Sequence, residues 1–260
     1  MEHCSTWSGS PLGNFVAVMD RTLPPPLKPE SEKDRELALG LYLAMAALFV
    51  ASLVSCNLIF RKFFVWTLPI PGMEYAFEAS VGLLPYPLTF LVTDLISEIF
   101  GKKRADDVVK GGLVASVFTL GIIVVAGAAP ATLWSPVTDG EFNHVFGQTV
   151  LAVAASMSAY LIAQFLDVRI FHFWKHRTGG RKLWLRNNFS TIPSQFVDTV
   201  VVLILLCAAG EIEWALFGGL LVNGFGFKVL VAALDTPLVY AGSALIRRRF
   251  GLAPGQEIAL

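Results

Sequence analysis

The constraint that matters most in this chain is its set of long apolar runs. Residues 37–60 carry no charged side chain and are mostly Leu, Ala, Val and Phe. At about 1.5 Å per residue, a helix of that length exceeds the ~30 Å hydrocarbon core of a bilayer. Charge is also absent from 111 to 138, and further apolar stretches occupy roughly 146–171, 189–210 and 214–246. Charged residues make up only 15% of the chain, against about 25% in soluble domains. These features predict an all-α integral membrane protein, since in lipid a helix satisfies every backbone polar group internally.

Six spans are expected. The first is 37–60, ending at Asn57 with Arg61 and Lys62 beyond, and a short connection with Pro69, Pro71 and Gly72 follows. The second lies within 75–100. Its charge-free part, 79–93, is too short alone, so Asp94 and Glu98 are counted into it. Pro85 and Pro87 each remove a backbone donor and predict a break in that helix. The third span starts near Val108 and stops near Pro130; the fourth is about 146–171. A strongly basic loop is expected over 172–187, with Lys175, Arg177, Arg181, Lys182 and Arg186. The fifth span, about 189–210, is interrupted by Pro193, and the last ends at Arg247-Arg248-Arg249.

Residues 1–36, with Pro24-Pro25-Pro26 and a mixed-charge run, read as a disordered cytoplasmic tail rather than a cleaved signal. The transporter domain is then 37–248 and a second cytoplasmic tail is 249–260. With both termini inside, the inner side holds Lys102, Lys103, Arg104, Lys110, the five basic residues of 172–187 and Arg247 to Arg249. The outer loops hold only Arg61 and Lys62. The positive-inside rule therefore gives an N-in, C-in topology. Polar pairs after prolines in the second and fifth spans suggest an inverted repeat of three plus three helices, a common transporter plan.

Net charge is zero, so nucleic acid is not an expected partner. Cys4, Cys56 and Cys207 are widely separated and form neither a disulfide framework nor a zinc pattern. His172 and His176 stand at i, i+4 but lack a third ligand, so no metal is expected. Gly224-Phe225-Gly226 lacks the third glycine of a dinucleotide fingerprint and reads as a packing site. No cofactor is expected, and no phosphate-binding loop of the Gly-Lys-Ser/Thr type occurs.

The informative residues are polar ones within apolar spans. Asp94 and Glu98 share a helix face at i, i+4. Asp198, Asp235, Asn57, Gln195 and Asn223 join them, and Lys228 is the basic residue well inside a span. Lys228 and Asp235 lie seven apart on one face and are expected to balance each other. Charges inside a membrane are costly and usually functional; this many implies a polar cavity. Carboxylates accept the adjacent N–H donors of a guanine-like heterocycle, and would suit a cationic amine equally. Phe90, Phe100, Phe196 and Phe225 are candidates to stack on a flat ligand.

Several segments also resemble a known family. Asp94-Leu95-Ile96-Ser97-Glu98-Ile99-Phe100-Gly101-Lys102-Lys103 is similar to the signature of the queuosine-precursor transporter family, also called the vitamin-uptake-transporter family. Asn57-Leu58-Ile59 with Lys62, the run Leu183 to Thr191, Gln195-Phe196-Val197-Asp198-Thr199, and Lys228 followed by Asp235-Thr236-Pro237 and Tyr240 match it in order. Phe100 stands where many members have Tyr, and Pro193 where a small residue is common. The resemblance implies a bacterial inner-membrane transporter of 7-cyano-7-deazaguanine, its 7-aminomethyl analogue or queuine, for transfer-RNA modification. The residues it carries over are Asn57, Asp94, Glu98, Gln195, Asp198, Lys228 and Asp235; Asn223 is added from its place in the last span. Glu98 or Asp198 is expected to take the lactam N–H and amino donors. A homodimer is an expected arrangement, since six helices make a small bundle around a cavity. Two other classes fit the same residues: a substrate-binding membrane subunit that needs a separate energising complex, and an intramembrane enzyme with Asp94 and Glu98 on a metal ion.

Overall fold

The computed structural model describes residues 24–29, 31–70, 73–147, 150–180, 182–210 and 212–260. The protein is mainly helical. Helix α1 spans Glu32–Ile59, α2 Tyr86–Ile99, α3 Gly101–Ala128, α4 Asp139–Phe142, α5 Val150–Arg177, α6 Leu183–Ala208 and α7 Phe217–Phe250. Two strands, β1 (Phe63–Ile70) and β2 (Met73–Ser80), form an antiparallel hairpin between α1 and α2. Four of these helical segments are long and apolar enough to cross a membrane: Glu32–Ile59, Gly101–Ala128, Leu183–Ala208 and Trp214–Phe250. This is a multi-pass membrane protein.

The distribution of side chains is that of a protein dissolved in lipid. Val114, Val117, Phe118, Ile122 and Val125 of α3 are exposed, as are Val222, Leu230, Leu234 and Leu245 of α7. Meanwhile Glu98, Lys175, Arg186, Gln164 and Asp167 are fully or almost fully enclosed. Apolar side chains outside cost nothing in a hydrocarbon solvent, and the buried polar groups are held away from it. Around them, Phe49, Leu53, Phe90, Ile96, Ile99 and Val109 make the apolar packing. Helices α1 and α3 approach closely where Gly112 faces Phe49 and Leu53; a Cβ there would lie 2.7 Å from the Phe49 ring.

Several expected boundaries move. The second span is shorter in helix than its apolar run: residues 75–80 belong to β2, and α2 begins only at Tyr86. Pro85 and Pro87 do not break it. They lie at its N-cap and first turn, where the missing N–H has no intrahelical partner to lose. Helix α6 is not broken either. It runs continuously through Pro193, and Ser194 Oγ lies 2.9 Å from both the Ser190 and the Thr191 carbonyl oxygens, close to the missing donor. The basic segment expected as a loop is mostly helix: α5 extends to Arg177 and α6 starts at Leu183.

The chain ends also differ from two tails. Residues 1–23, on which most of the expected disorder falls, lie outside the described residues. Helix α1 already begins at Glu32, and its N-cap Ser31 side chain accepts from the Asp34 N–H at 3.0 Å. Residues 252–260 fold back onto the bundle. The Ile258 N–H donates to the Ile99 carbonyl at 2.7 Å, and Leu27 pairs with Ile258 in a short parallel bridge. Gly101 (φ +80°) and Gly180 (φ +74°) permit this. A Cβ on Gly101 would stand 2.1 Å from the Glu257 carboxylate, and one on Gly180 2.5 Å from Gly255.

Candidate functional site

Three buried polar layers lie along α2. The first surrounds a cavity of about 150 Å³. Its walls come from the end of α1 (Cys56, Asn57), the hairpin (Phe63, Glu78, Ser80), Tyr86 of α2, Tyr160 of α5, Asp198 and Thr199 of α6, and Gly224 and Lys228 of α7. A cavity of that size admits a small aromatic ring compound.

Asp198 is the centre of this layer. Its Oδ2 accepts from Tyr86 Oη at 2.6 Å and from Lys228 Nζ at 2.6 Å. Lys228 also donates to Thr199 Oγ1 at 3.0 Å and lies 4.2 Å from the centre of the Tyr86 ring. The other oxygen, Asp198 Oδ1, is buried and has no protein partner. A carboxylate can accept on both oxygens, so half of its capacity is held in reserve at a cavity wall. Tyr86 packs against Phe90 and Tyr160, with ring centres 5.2 Å away in each case. That packing fixes the phenol pointing at Asp198.

The second layer is about 12 Å further along α2, at ~1.5 Å per residue. Asp94 of α2 and Asp167 of α5 share this layer, and Asp94 Oδ1 and Asp167 Oδ2 are buried without a hydrogen-bond partner. Ser194 Oγ donates to Asp167 Oδ1 at 3.1 Å, and Thr191 Oγ1 sits 3.5 Å from Asp94 Oδ2. Gln164, one turn before Asp167, donates to Thr93 Oγ1 at 2.6 Å. Gln164 Oε1 and Gln195 Oε1 are buried without a protein partner. These groups connect the first layer to the third as a polar seam between α2, α5 and α6.

The third layer is an ion cluster at the far end of α2. Glu98 pairs with Arg186 of α6 at 2.5 Å, with Arg247 of α7, and with Lys175 of α5 at 4.0 Å. Lys175 Nζ donates to the Ser97 and Glu98 carbonyls, each at 3.1 Å, and to Glu257 Oε1 at 2.8 Å. Glu98 and Lys175 have no exposed surface and Arg186 has 1%.

The structure therefore divides the expected site. Asn57, Asp198 and Lys228 meet at the cavity. Glu98 does not reach it, because two arginines and a lysine already surround its carboxylate. Asp94 lies in the middle layer, and Gln195 is buried near the seam. Lys228 does not pair with Asp235: it reaches across to α6, and Asp235 is half-buried further along α7. Asn223 is half-buried on α7, outside the cavity lining. The expected aromatic platform also changes. Phe100 packs edge-on to Tyr42, and Phe196 on Phe225; the aromatic walls of the cavity are Tyr86, Tyr160, Phe60 and Phe63. Tyr86 and Tyr160 were not singled out by sequence, and Thr199 only as the end of the Gln195–Thr199 run. Tyr86 stands between two prolines, and only a neighbouring helix could reveal its partner. Among the described residues, no group of three side chains is placed to hold a metal.

A profile of the family described as putative vitamin uptake transporter matches residues 80–242, well over half of the chain. The chain belongs to this family. Its members are transporters, not enzymes, and the match covers α2 to most of α7, hence Tyr86, Asp94, Glu98, Asp167, Lys175, Arg186, Asp198 and Lys228, while Asn57, Arg247 and Glu257 lie outside it. Among curated relatives, the chain is 24% identical over 176 residues to the probable queuosine precursor transporter of Bacillus subtilis (strain 168), covering 66% of this chain and 75% of the relative. It is 28% identical over 155 residues to the queuosine precursor transporter of Escherichia coli (strain K12), covering 59% of this chain and 66% of the relative. No solved structure matches the chain.

Proposed function

We propose that this vitamin uptake transporter imports queuosine precursors across the bacterial inner membrane: 7-cyano-7-deazaguanine, its 7-aminomethyl analogue or queuine. The names of the two relatives support the substrate class. The observation that carries the site is Asp198, a buried carboxylate at the cavity wall with one oxygen lacking a protein partner. A deazaguanine presents its lactam N–H and amino group side by side, and a carboxylate accepts such an edge in bidentate fashion. Tyr86 and Tyr160 supply faces on which the flat ring stacks. To accept on both oxygens, Asp198 gives up Tyr86 of α2 or Lys228 of α7 as a partner, so binding is coupled to a rearrangement of one of these helices against α6.

The proposed topology has six membrane-crossing segments within residues 37–248, with α1 to α3 forming one half and α5 to α7 the other. The basic ends of α5 and α7, with Lys102 to Arg104, face the cytoplasm. The hairpin and the cavity then lie toward the outer side, which suits import. A homodimer belongs to the same proposal and is read from the mass of the solubilised complex.

A thermal-shift titration of the purified protein against deazaguanines, guanine and riboflavin-like vitamins tests the site. Ligands that bind the folded state raise the melting temperature. The expected result is a saturable shift with deazaguanines that is absent in Asp198→Asn. A shift with none of them, or one unchanged in Asp198→Asn, sinks the assignment. Uptake by the chain alone in liposomes separates a self-sufficient transporter from a subunit that needs an energising complex.

A further inference from the structure

The cluster around Glu98 joins four helices and the chain's last residues at one point. Its charges come from α2, α5, α6 and α7, and Glu257 adds a fifth from the returning segment. Buried ion pairs of this kind give little net stability over well-packed apolar residues. Stability therefore does not account for the arrangement. What it does is tie the ends of four helices to one another through paired charges. Above it runs the polar seam, in which Ser97 Oγ, Gln164 Oε1 and Gln195 Oε1 are buried without protein partners. Such atoms are costly in lipid unless water or a passing solute satisfies them in another state.

Resting on the transporter reading above, we propose that the Glu98 cluster is the inner gate of the transport path and that residues 252–260 are its latch. The path runs from the cavity at Asp198 through the Asp94–Asp167 layer. It is closed where Arg186 and Arg247, from different helices, converge on one carboxylate. Lys175 links gate to latch: the same ammonium holds the end of α2 through two carbonyls and the Glu257 carboxylate. Glu257 in turn sits directly on Gly101, at the junction of α2 and α3. Moving α2 away from α6 and α7 breaks the gate, and withdrawing Glu257 from Gly101 frees α2 to move. Paired charges with two discrete arrangements are a common basis of such switching.

The test uses the full-length chain with Cys4, Cys56 and Cys207 replaced by Ser and Ser97→Cys as reporter. Labelling by a membrane-impermeant maleimide is followed in inside-out vesicles and, as control, in right-side-out vesicles. In the reporter alone, labelling is slow, since Ser97 is enclosed just above the cluster. Adding Glu98→Gln or Glu257→Gln speeds it several-fold from the cytoplasmic face only. Unchanged rates in both variants, with melting and elution as in the reporter, overturn the gate, as does acceleration from the outer face. Should Glu98→Gln fail to fold, Glu257→Gln, whose carboxylate is partly exposed, decides alone. Repeating the reaction with 7-aminomethyl-7-deazaguanine, 7-cyano-7-deazaguanine and queuine in turn separates the two proposals. Faster labelling in the variants with no response to any of these compounds keeps the gate and removes the deazapurine substrate.

Discussion

Lys228 bonds to Asp198, 30 positions earlier in the chain, at 2.6 Å rather than to Asp235 on its own helix. The pair ties α7 to α6 at the cavity wall. Removing one partner leaves the other charge buried and uncompensated, which typically costs 3–5 kcal/mol. Asp198→Asn is therefore expected to lose ligand binding and to lower the melting temperature. Asp198→Asn with Lys228→Met recovers most of the stability and none of the binding. Recovery of both would show that Asp198 holds the helices and does not touch the ligand.

Tyr86 tests the cavity more gently. Tyr86→Phe keeps the ring and its packing on Phe90 and Tyr160 but removes one hydrogen bond to a charged acceptor, worth about 1.5–3 kcal/mol. Uptake is expected to persist with altered apparent affinity. The direction is informative: tighter binding means the phenol competes with substrate for Asp198, and weaker binding means it positions the carboxylate. An affinity equal to wild type removes Tyr86 from the site.

Glu98 separates the two ends of α2. Sequence alone placed it on a par with Asp198 as a substrate acceptor; its encirclement by Arg186, Arg247 and Lys175 removes it from that role. Glu98→Gln is expected to leave the ligand-induced thermal shift near wild type while changing transport rate. A loss of binding as complete as in Asp198→Asn would return Glu98 to the pocket.

Asp94 and Asp167 occupy the same buried layer, and one oxygen of each has no hydrogen-bond donor. Asp167→Asn supplies that donor as an amide and is expected to fold with little change in melting temperature. Asp167→Leu supplies no donor and leaves Asp94 Oδ1 unsatisfied, at about 1–3 kcal/mol for a buried polar group. Equal melting of the two variants would mean that the carboxyls do not depend on one another.

The long spans were legible because each is an apolar run whose length alone exceeds what a soluble helix needs. The hairpin was not, although Phe63-Phe64-Val65-Trp66-Thr67 is rich in aromatic and β-branched residues. Between two membrane helices it read as a mere connection. Lys175 and Arg186 were placed in a loop because dense positive charge resembles a solvated segment; nothing local shows that a glutamate on another helix faces them. The case of Lys228 is similar. Helical periodicity says which residues share a face, as it does for Lys228 and Asp235, but not which neighbouring helix that face meets. The sequence thus singles out the polar residues as a set, while their division into cavity, seam and ion cluster depends on the packing.

Helix α2 has 14 residues, about 21 Å at ~1.5 Å per residue, whereas the hydrocarbon layer is ~30 Å. The helix that carries all three polar layers is therefore too short for an average membrane. The remaining depth falls to the turn before it and to the hairpin, whose Phe63, Val65 and Trp66 are exposed. Bilayers respond to such hydrophobic mismatch by thinning or by tilting neighbours, at a fraction of a kcal/mol per Å. Because α2 connects the cavity to the ion cluster, acyl-chain length acts on the element that moves. Transport in short-chain lipid should then differ from transport in long-chain lipid even when the protein is equally stable in both.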